Sequence, residues 1–349
     1  MARIFAWTLA FSFVALLIEP LAAQSKNPKF AITDPADVDV DYEFQGEYMG
    51  RSFANGYRSQ SDGLQVIALG DGKFEGVLYT GGLPGAGWNR TSKSKLSGER
   101  NGDVVELKGD GQTVFVQREQ AALHSATGEI LSLMDKIHRV SSTMHARAPA
   151  NATILFDGSN TDQFEDGAKI NDAGLLQAGV TTKMKVGDFR LHLEFRTPYM
   201  PYARGQSRGN SGVYIQRRYE LQVLDSFGLE GVANECGGLY RQQRADVNMA
   251  LPPLVWQTYD IYFTAARFDT DGNKTDNARI TAFHNGVMIH DDYQIVNKTG
   301  AGRKEGPDKM PIHLQHHGDP VVYRNIWIVD LSDNDRVTCC PCDCRRRCR

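Results

Sequence analysis

Residues 278–292 read ARITAFHNGVMIHDD, and this stretch is the strongest predictor of the fold class in the chain. Two short segments with alternating apolar side chains lie on either side of Asn285-Gly286. Two-residue hairpin turns favour Asn-Gly, because both turn residues adopt a positive φ that these two residue types tolerate. The stretch therefore predicts a β-hairpin.

Segments before and after this hairpin alternate in the same way. They read DFRLHLEFR at 188–196, TYDIYFTAARF at 258–268, MPIHLQHHG at 310–318 and YRNIWIVDL at 323–331. In each of them every second side chain is apolar, which is the pattern of a strand with one buried face. Many short strands without interleaved helices predict an all-β fold, and we expect a two-sheet sandwich of jelly-roll type over residues 150–331.

A second, smaller β domain is predicted over residues 38–145. Its alternating segments are joined by tight turns at Asp71-Gly72 and Asp110-Gly111. A polar linker at 24–37 precedes it, and the residues around 146–152 are predicted to connect it to the sandwich. The glycine-rich stretch TGGLPGAGWNR at 80–90 lacks the Lys-Ser/Thr ending of a phosphate-binding loop and is interpreted as a turn.

The two ends of the chain have unusual compositions. Residues 1–23 combine Arg3, an apolar run and small residues before Gln24, which is typical of a secretory signal peptide, so we expect an exported protein in the periplasm, at the cell surface or secreted. We interpret 332–349, with five cysteines, as a disordered tail, although clustered thiolates are also ligands for soft metals. Cys236 stands alone in the folded part, so no disulfide framework is expected.

The charge of the chain excludes some classes of partner. Its formal net charge is only −3 at pH 7, and no later segment is apolar enough to cross a bilayer. Neither nucleic acid nor a membrane is therefore expected as a partner once the signal peptide is removed.

The alternation of the sandwich strands also predicts one polar sheet face. Where residues such as Val213, Leu221 and Leu314 point to the core, their neighbours must point outward. Amide, imidazole and aromatic groups dominate this face, and such groups suit sugar hydroxyls and ring faces. The side chains predicted on this face are those of Asn210, Tyr214, Gln216, Glu220, Gln222, His313, Gln315 and His317.

Glu220, Gln222 and Asp225 are spaced at i, i+2 and i+5 in YELQVLDS. A regular strand would turn Asp225 to the far face, so a bulge after Gln222 is expected if all three act together. The spacing resembles the E-x-D-x-x-E strand of laminarinase-type glucanases, with Gln and Asp in place of two acids. A retaining glycosidase needs two carboxyl groups about 5–5.5 Å apart, so these differences make conventional hydrolysis an alternative rather than the first interpretation.

A closer resemblance extends over most of residues 152–331. It is carried in order by the motifs LFDGSN at 155–160, GDFRLHLEFR at 187–196, NSGVYIQ at 210–216, YELQVLDS at 219–226, GGLY at 237–240, FHNGVMIHDD at 283–292 and IHLQHHGDPVVYRNIWI at 312–328. Together they resemble the 3-keto-disaccharide hydrolase family. The first domain resembles an N-terminal extension of exported, planctomycete-type members.

This resemblance implies a concanavalin A-like or laminin-G-like sandwich and a hydrolase that acts on glycosyl bonds of oxidised, 3-keto sugars. A ketone at C3 acidifies the C2 hydrogen, so a base can start an elimination that expels the C1 substituent before water adds. We expect Glu220 or His317 to be this base. Further candidates are Asp225 as an acid and, for substrate binding, Asn210, Tyr214, Gln222, Gln315, His290 and Arg324.

Several alternatives remain open from the sequence. A divalent cation is a candidate cofactor, with Asp225 or a histidine set among its ligands. That set would combine His290 with His313, His316 and His317. The same fold also serves lectins, so a carbohydrate-binding module without turnover is a second interpretation, and an adhesion or scaffold role for the N-terminal domain is a third.

Overall fold

The structure is a computed structural model that describes residues 27–54 and 57–332, without the side chains of residues 54 and 57–60. The predicted signal peptide at 1–23 and the cysteine-rich tail residues after 332 lie outside these ranges. Within them, no helix has the length and apolar character that a membrane span requires.

The N-terminal unit is a closed barrel of eight antiparallel strands, in which each strand pairs with the next and the last returns to the first. Its strands are β1 (Gly46–Ala54), β2 (Tyr57–Ala68), β3 (Lys73–Thr80), β4 (Lys93–Asn101), β5 (Val104–Gly109), β6 (Gln112–Val116), β7 (Gln120–His124) and β8 (Ile130–Ile137). Within residues 27–54 and 57–332, single-turn 3-10 helices lie at Pro35–Asp37, Val40–Glu43 and Gly205–Ser207.

Alternation and turn chemistry explain the barrel. Val105 and Leu107 of β5 and Val114 of β6 are fully buried inside it, whereas intervening residues are more exposed. Asp71 and Asp110 adopt the positive φ values, 55° and 51°, that the predicted Asp-Gly turns require. Closure pairs the two edge strands that an open sheet would leave unpaired.

The C-terminal unit is the predicted two-sheet sandwich. One sheet has the order β10-β21-β12-β15-β18-β19, with β9 also paired to β21, and the other has the order β11-β20-β13-β14. The strands are β9 (Thr153–Phe156), β10 (Leu176–Gln177), β11 (Val180–Val186), β12 (Phe189–Arg196), β13 (Ser211–Ile215), β14 (Tyr219–Val223), β15 (Gln257–Thr264), β16 (Arg267–Phe268), β17 (Lys274–Asp276), β18 (Ala278–His284), β19 (Val287–Ile295), β20 (Met310–His316) and β21 (Val322–Asp330). Strands β16 and β17 form a separate two-stranded ribbon.

The hairpin predicted from residues 278–292 is confirmed. It joins β18 to β19, and its turn residues Asn285 and Gly286 have φ values of 53° and 78°. Alternate side chains of the two sheets, such as Leu191, Leu193 and Leu221, are fully buried in one apolar core between them. The sandwich core therefore follows directly from the period-two pattern.

Part of the outer face of the larger sheet, around His192, Glu194 and Asp260, is also buried, which alternation does not predict. A segment after the barrel, residues 141–147, lies across it: Thr143 Oγ1 donates a hydrogen bond to Asp260 (2.6 Å) and the His145 amide donates one to Glu194 (2.6 Å). His192 lies 2.8 Å from Asp260 by its Nδ1. This segment and the acidic residues beneath it form a polar layer on the outside of the larger sheet.

Hydrogen bonds keep Glu194 ionised in this layer. Burial alone would raise the pKa of its carboxyl group, but hydrogen bonds from His192, Asn325 and Arg324 lower that pKa to about 2. The Arg324 Nε atom lies 2.7 Å from the carboxylate. A buried carboxylate is tolerated here because its oxygens are fully hydrogen-bonded.

The barrel and the sandwich also share apolar contacts. Tyr199 and Leu254 of the sandwich belong to the main cluster of buried barrel residues, and Phe227 packs with Ile67 and Val77. The two units therefore meet through a packed interface rather than through a single covalent connection.

Candidate functional site

The candidate site lies on the outer face of the four-stranded sheet. In the pairing of β13 with β14 and β20, Tyr214 stands opposite both Glu220 and His313. Gly212 stands opposite both Gln222 and Gln315. Residues directly opposite one another share a face, so the polar face expected from the sequence is present at these positions.

Glu220 lies at the floor of this face and is 3 % exposed. The Tyr214 hydroxyl donates a 2.8 Å hydrogen bond to its carboxylate, and the Glu220 amide donates to Thr299 Oγ1. Burial raises the pKa of Glu220 to about 7, and the hydrogen bond from Tyr214 only partly opposes this. A carboxyl group with a pKa near neutrality is suited to accept a proton at physiological pH.

Gly212 leaves the space that the Glu220 carboxylate occupies. A Cβ atom added to Gly212 would lie 2.5 Å from Glu220 Oε1, much closer than a van der Waals contact. The absence of a side chain at Gly212 therefore allows the Glu220 carboxylate to lie where it does, directly over the backbone of β13.

Substituting Gly212→Ala is expected to displace Glu220 and to reduce turnover about tenfold or more, since small misplacements of catalytic groups are costly. The measurement is kcat on an aryl 3-keto-glucoside, the substrate class that the resemblance implies. Gly300→Ala is the matched control, because a Cβ there meets nothing within 4 Å. Equal activity of the two variants would contradict this role of Gly212.

Amide groups surround Glu220 with unused hydrogen-bonding capacity. Asn210 Oδ1, Gln222 Oε1 and Gln315 Oε1 are buried and have no hydrogen-bond partner among the described residues. Gln206 binds the nitrogens of two of these amides. Asn210 Nδ2 donates to the Gln206 carbonyl oxygen at 2.7 Å, and Gln222 Nε2 donates to Gln206 Oε1 at 3.1 Å. Buried polar atoms without partners are rare, so three of them on one face indicate a place for a hydroxyl-rich ligand.

Sequence reasoning missed three residues that also lie at this face. The Tyr240 amide bonds to the Glu220 carbonyl (3.0 Å), which adds residues 238–240 to the sheet beside β14. Thr181 Oγ1 lies 3.0 Å from His313 Nδ1, and Gln206 holds the amides. The GGLY motif at 237–240 contained a signal for Tyr240, whereas the other two residues come from segments with no motif.

Asp225 is not placed as an acid beside Glu220. The pairing of β13 with β14 runs from Ser211 to Ile215 without the expected bulge. Asp225 follows the strand, where one oxygen binds Arg208 Nε at 2.7 Å and the other accepts from the Phe227 amide. The structure thus corrects its predicted role: Asp225 is the buried counter-ion of Arg208.

Three more predicted positions lie away from Glu220. His290 is in β19 of the larger sheet, where its Nε2 is 2.7 Å from the Gly237 carbonyl oxygen. Arg324 is in β21, on the outer face of the same sheet, with its guanidinium 3.9 Å from the centre of the Trp256 ring. Gln216 has a φ of 51° and its amide donates to the Val186 carbonyl, so its side chain leaves the shared face. The structure thus places all three away from Glu220, and a role for them in substrate binding stays a prediction.

His317 is exposed, one residue beyond the end of β20. Of the two candidate bases, Glu220 is thus the one in a desolvated setting. Burial lowers the pKa of His313, which keeps this neighbour of Tyr214 neutral. The proposed histidine metal set does not assemble, since His290 lies in the other sheet, and the described residues contain no group of three His, Cys, Asp or Glu that could hold an ion.

Solved structures that are similar to this chain cover about half of its length. Among them are three proposed glycosyl hydrolases from Parabacteroides distasonis. The first is 32 % identical and covers 53 % of this chain and 85 % of its own, with a TM-score of 0.48. The second is 18 % identical and covers 52 % of this chain and 94 % of its own, with a TM-score of 0.39. The third is 22 % identical and covers 52 % of this chain and 99 % of its own, with a TM-score of 0.37. No curated protein matches the chain.

The family comparison is more specific. The 3-keto-alpha-glucoside-1,2-lyase-like domain matches residues 151–329, which contain both sheets of the sandwich except the last residue of β21, and the whole polar face around Glu220. This match extends over slightly more than half of the chain. The protein therefore belongs to the 3-keto-disaccharide hydrolase family, and its sandwich has a glycosyl hydrolase-like function.

Proposed function

We propose that the sandwich cleaves the glycosidic bond of 3-keto-glycosides, by elimination across C1 and C2 followed by addition of water. The observation that carries the proposal is Glu220: a buried carboxyl group with a pKa of about 7, on a sheet face with unpartnered amide oxygens. The family's description as 1,2-lyase-like supports an elimination between these two carbons. From the leader-like sequence at 1–23, we further propose that the protein acts outside the cytoplasm.

The first step assigns a proton transfer to Glu220. A ketone at C3 makes the C2 hydrogen acidic, and the ionised Glu220 removes this proton, so that the electron pair forms the enolate. Expulsion of the C1 oxygen substituent then gives the C1–C2 double bond, and the proton now on Glu220 is available to the departing oxygen. Addition of water to C1 and return of a proton to C2 complete a net hydrolysis.

The surrounding residues position the sugar. The free oxygens of Asn210, Gln222 and Gln315 accept hydrogen bonds from ring hydroxyls. Half-exposed Tyr240 and His313 border the buried floor and offer ring faces and polar edges. These amide side chains carry no charge that a ligand would have to neutralise, so they suit an uncharged substrate.

Conventional displacement is the weaker interpretation. A retaining glycosidase requires a second carboxylate about 5–5.5 Å from the first. The acid positions of the laminarinase pattern are here Gln222 and Asp225, and both oxygens of Asp225 are already bonded within the protein. Elimination needs only one carboxylate as base, and this fits the residues on the face.

The test compares oxidised and unoxidised sugars with the purified full chain. We expect release of the leaving group from an aryl 3-keto-glucoside and from 3-keto-trehalose, and no release from the matching glucoside or from trehalose, because only the ketone acidifies C2. A parallel incubation with EDTA shows whether an ion contributes. Equal cleavage of oxidised and unoxidised sugars would overturn the elimination route, and binding of the keto sugar without cleavage would indicate a lectin-like module.

A further inference from the structure

A cavity of about 210 Å³ lies where the barrel meets the sandwich. Its volume is below the ~300–1,000 Å³ typical of drug-sized sites, so it suits one ring rather than an oligosaccharide. The barrel side contributes Tyr79, Pro84, Trp88, Arg90 and Lys93, and the sandwich side contributes Leu229, Glu230, Arg244, Asp246, Val247 and Asn248. None of these residues belongs to the face around Glu220.

Trp88 is a fixed aromatic group in this cavity. Its amide donates to the Leu83 carbonyl and its indole Nε1 donates to the Ser92 carbonyl at 2.9 Å. The Tyr79 ring meets it edge-on at 5.0 Å between centroids, and the Lys93 ammonium lies 5.5 Å from its ring centre. The indole is therefore held in one orientation before any ligand arrives, which reduces the entropy cost of binding.

The glycine-rich stretch 80–90 explains how this indole reaches the junction. Gly85 has a φ of 71°, and a Cβ there would lie 2.5 Å from Met249 Sδ. Only glycine permits the loop to pack this closely against the sandwich. The loop that the sequence indicated to be a simple turn thus presents Trp88 at the boundary between the two units.

Polar groups with free hydrogen-bonding capacity also line the cavity. Arg90 and Asp246 are exposed, and neither side chain has a hydrogen-bond partner within residues 27–54 and 57–332. Arg244 uses Nη2 to bind the Glu230 carbonyl and retains its other donors. An aromatic surface with donors and an acceptor at its rim matches a pyranose ring, which has apolar C–H faces and hydroxyl edges.

The charges in the cavity nearly cancel. The cations Arg90, Lys93 and Arg244 are offset by Glu230 and Asp246. Glu230 is already committed to Lys93 at 2.6 Å and to Lys95 at 3.0 Å. The lining thus carries one net positive charge, which is too small to require an anionic ligand.

We propose that this junction is a second carbohydrate site, which binds one pyranose ring of a neutral glycan on Trp88, with Arg90, Arg244 and Asp246 bonded to its hydroxyls. This site does not depend on turnover at Glu220. It is connected to the other site by one loop, residues 224–256 between β14 and β15, which supplies Arg244 and Asp246 to the cavity and Tyr240 to the catalytic face. The barrel thereby gains a role in binding one sugar ring beside the sandwich.

Calorimetric titration of the full chain with methyl α-glucoside, trehalose and maltotriose tests the site. We expect weak binding, with a Kd on the order of 1 mM. The variant Trp88→Ala should weaken it roughly tenfold, as when the main aromatic contact of a binding site is truncated. Asp246→Ala changes an exposed side chain and should weaken binding severalfold.

The matched control is Trp256→Ala, which removes another half-buried indole that lies beside arginines but outside the cavity. This control should bind normally. Unchanged affinity in both Trp88→Ala and Asp246→Ala would overturn the proposal, as would the absence of binding for every probe. If Asn210→Ala abolished all binding while Trp88→Ala retained it, sugars would bind only at the Glu220 face, and the proposed function would stand without the second site.

Discussion

Replacing Glu220 by Gln is expected to abolish turnover while the protein remains folded. A general base typically contributes about 10²–10⁴-fold to the rate, so we expect kcat on the keto-glycoside to fall by roughly 10³-fold. Gln is nearly isosteric and its oxygen can still accept the hydrogen bond from Tyr214, which stands 2.8 Å from the carboxylate in the native protein. The loss would therefore report on the missing base rather than on a rearranged sheet.

The same substitution should increase stability in a pH-dependent way. The folded protein holds the pKa of Glu220 at about 7, above the ordinary value of 4.5, so between these pH values the folded state binds more protons than the unfolded state. Stability therefore falls as the pH rises through this window, because a buried carboxyl group must ionise. Gln removes this cost, so we expect Glu220→Gln to gain roughly 3 kcal/mol at a pH above 7 and almost nothing below pH 4.5.

Urea denaturation of both proteins at an acidic and an alkaline pH measures this difference. Turnover by the native protein should rise with pH and reach half of its maximum near pH 7, where half of Glu220 is ionised. The control is Glu75→Gln, an exposed barrel carboxylate, which should change neither quantity. Native turnover by Glu220→Gln would show that another group is the base.

Removing Asp225 is expected to destabilise the protein strongly. Its carboxylate and the Arg208 guanidinium form a pair in which the two side chains are 0 % and 7 % exposed. Asp225→Ala would leave a buried cation without its counter-ion, and such losses cost about 3–5 kcal/mol. Chemical denaturation should show this decrease in the free energy of unfolding.

A double-mutant cycle separates the structural role of Asp225 from a catalytic one. The double variant Arg208→Ala, Asp225→Ala should lose less stability than the sum of the two single variants, because neither charge is left unpaired. Glu106→Ala, which breaks an exposed pair with Lys108, is the control and should cost at most about 1 kcal/mol. A stable Asp225→Asn variant with no turnover would show that Asp225 does take part in the chemistry.

The sequence predicted the structure correctly where the alternation of apolar and polar residues within neighbouring strands determines which side chains share a face. The hairpin at Asn285-Gly286 and the shared face of Tyr214, Glu220 and Gln222 follow from local alternation, because pairing of adjacent strands preserves the face. The family motifs added the concanavalin A-like or laminin-G-like sandwich that the resemblance implies. Closure of the N-terminal strands into a barrel has no such local signal, since it depends on the pairing of β1 with β8, far apart in the chain.

The predicted site and the observed arrangement differ where the neighbours of a side chain come from distant segments. His290 and Arg324 have the residue types of a sugar site, but they lie in the other sheet, and sequence alternation says nothing about which sheet a strand joins. Asp225 was assigned by spacing within one motif, whereas its position is set by Arg208 in the preceding loop. Thr181 and Gln206 reach the face through cross-strand and loop contacts that no motif indicated.

The segment at 141–147 lies outside the family match but supplies hydrogen bonds to the sandwich, so a sandwich without this segment would have different contacts on its outer sheet. A sandwich cut at the limits of the family match, 151–329, would lose the amide of His145 and the hydroxyl of Thr143 from its outer sheet. Glu194 and Asp260 would then meet water where the native chain supplies bonded partners. In this protein the segment that follows the barrel therefore forms part of the outer surface of the sandwich.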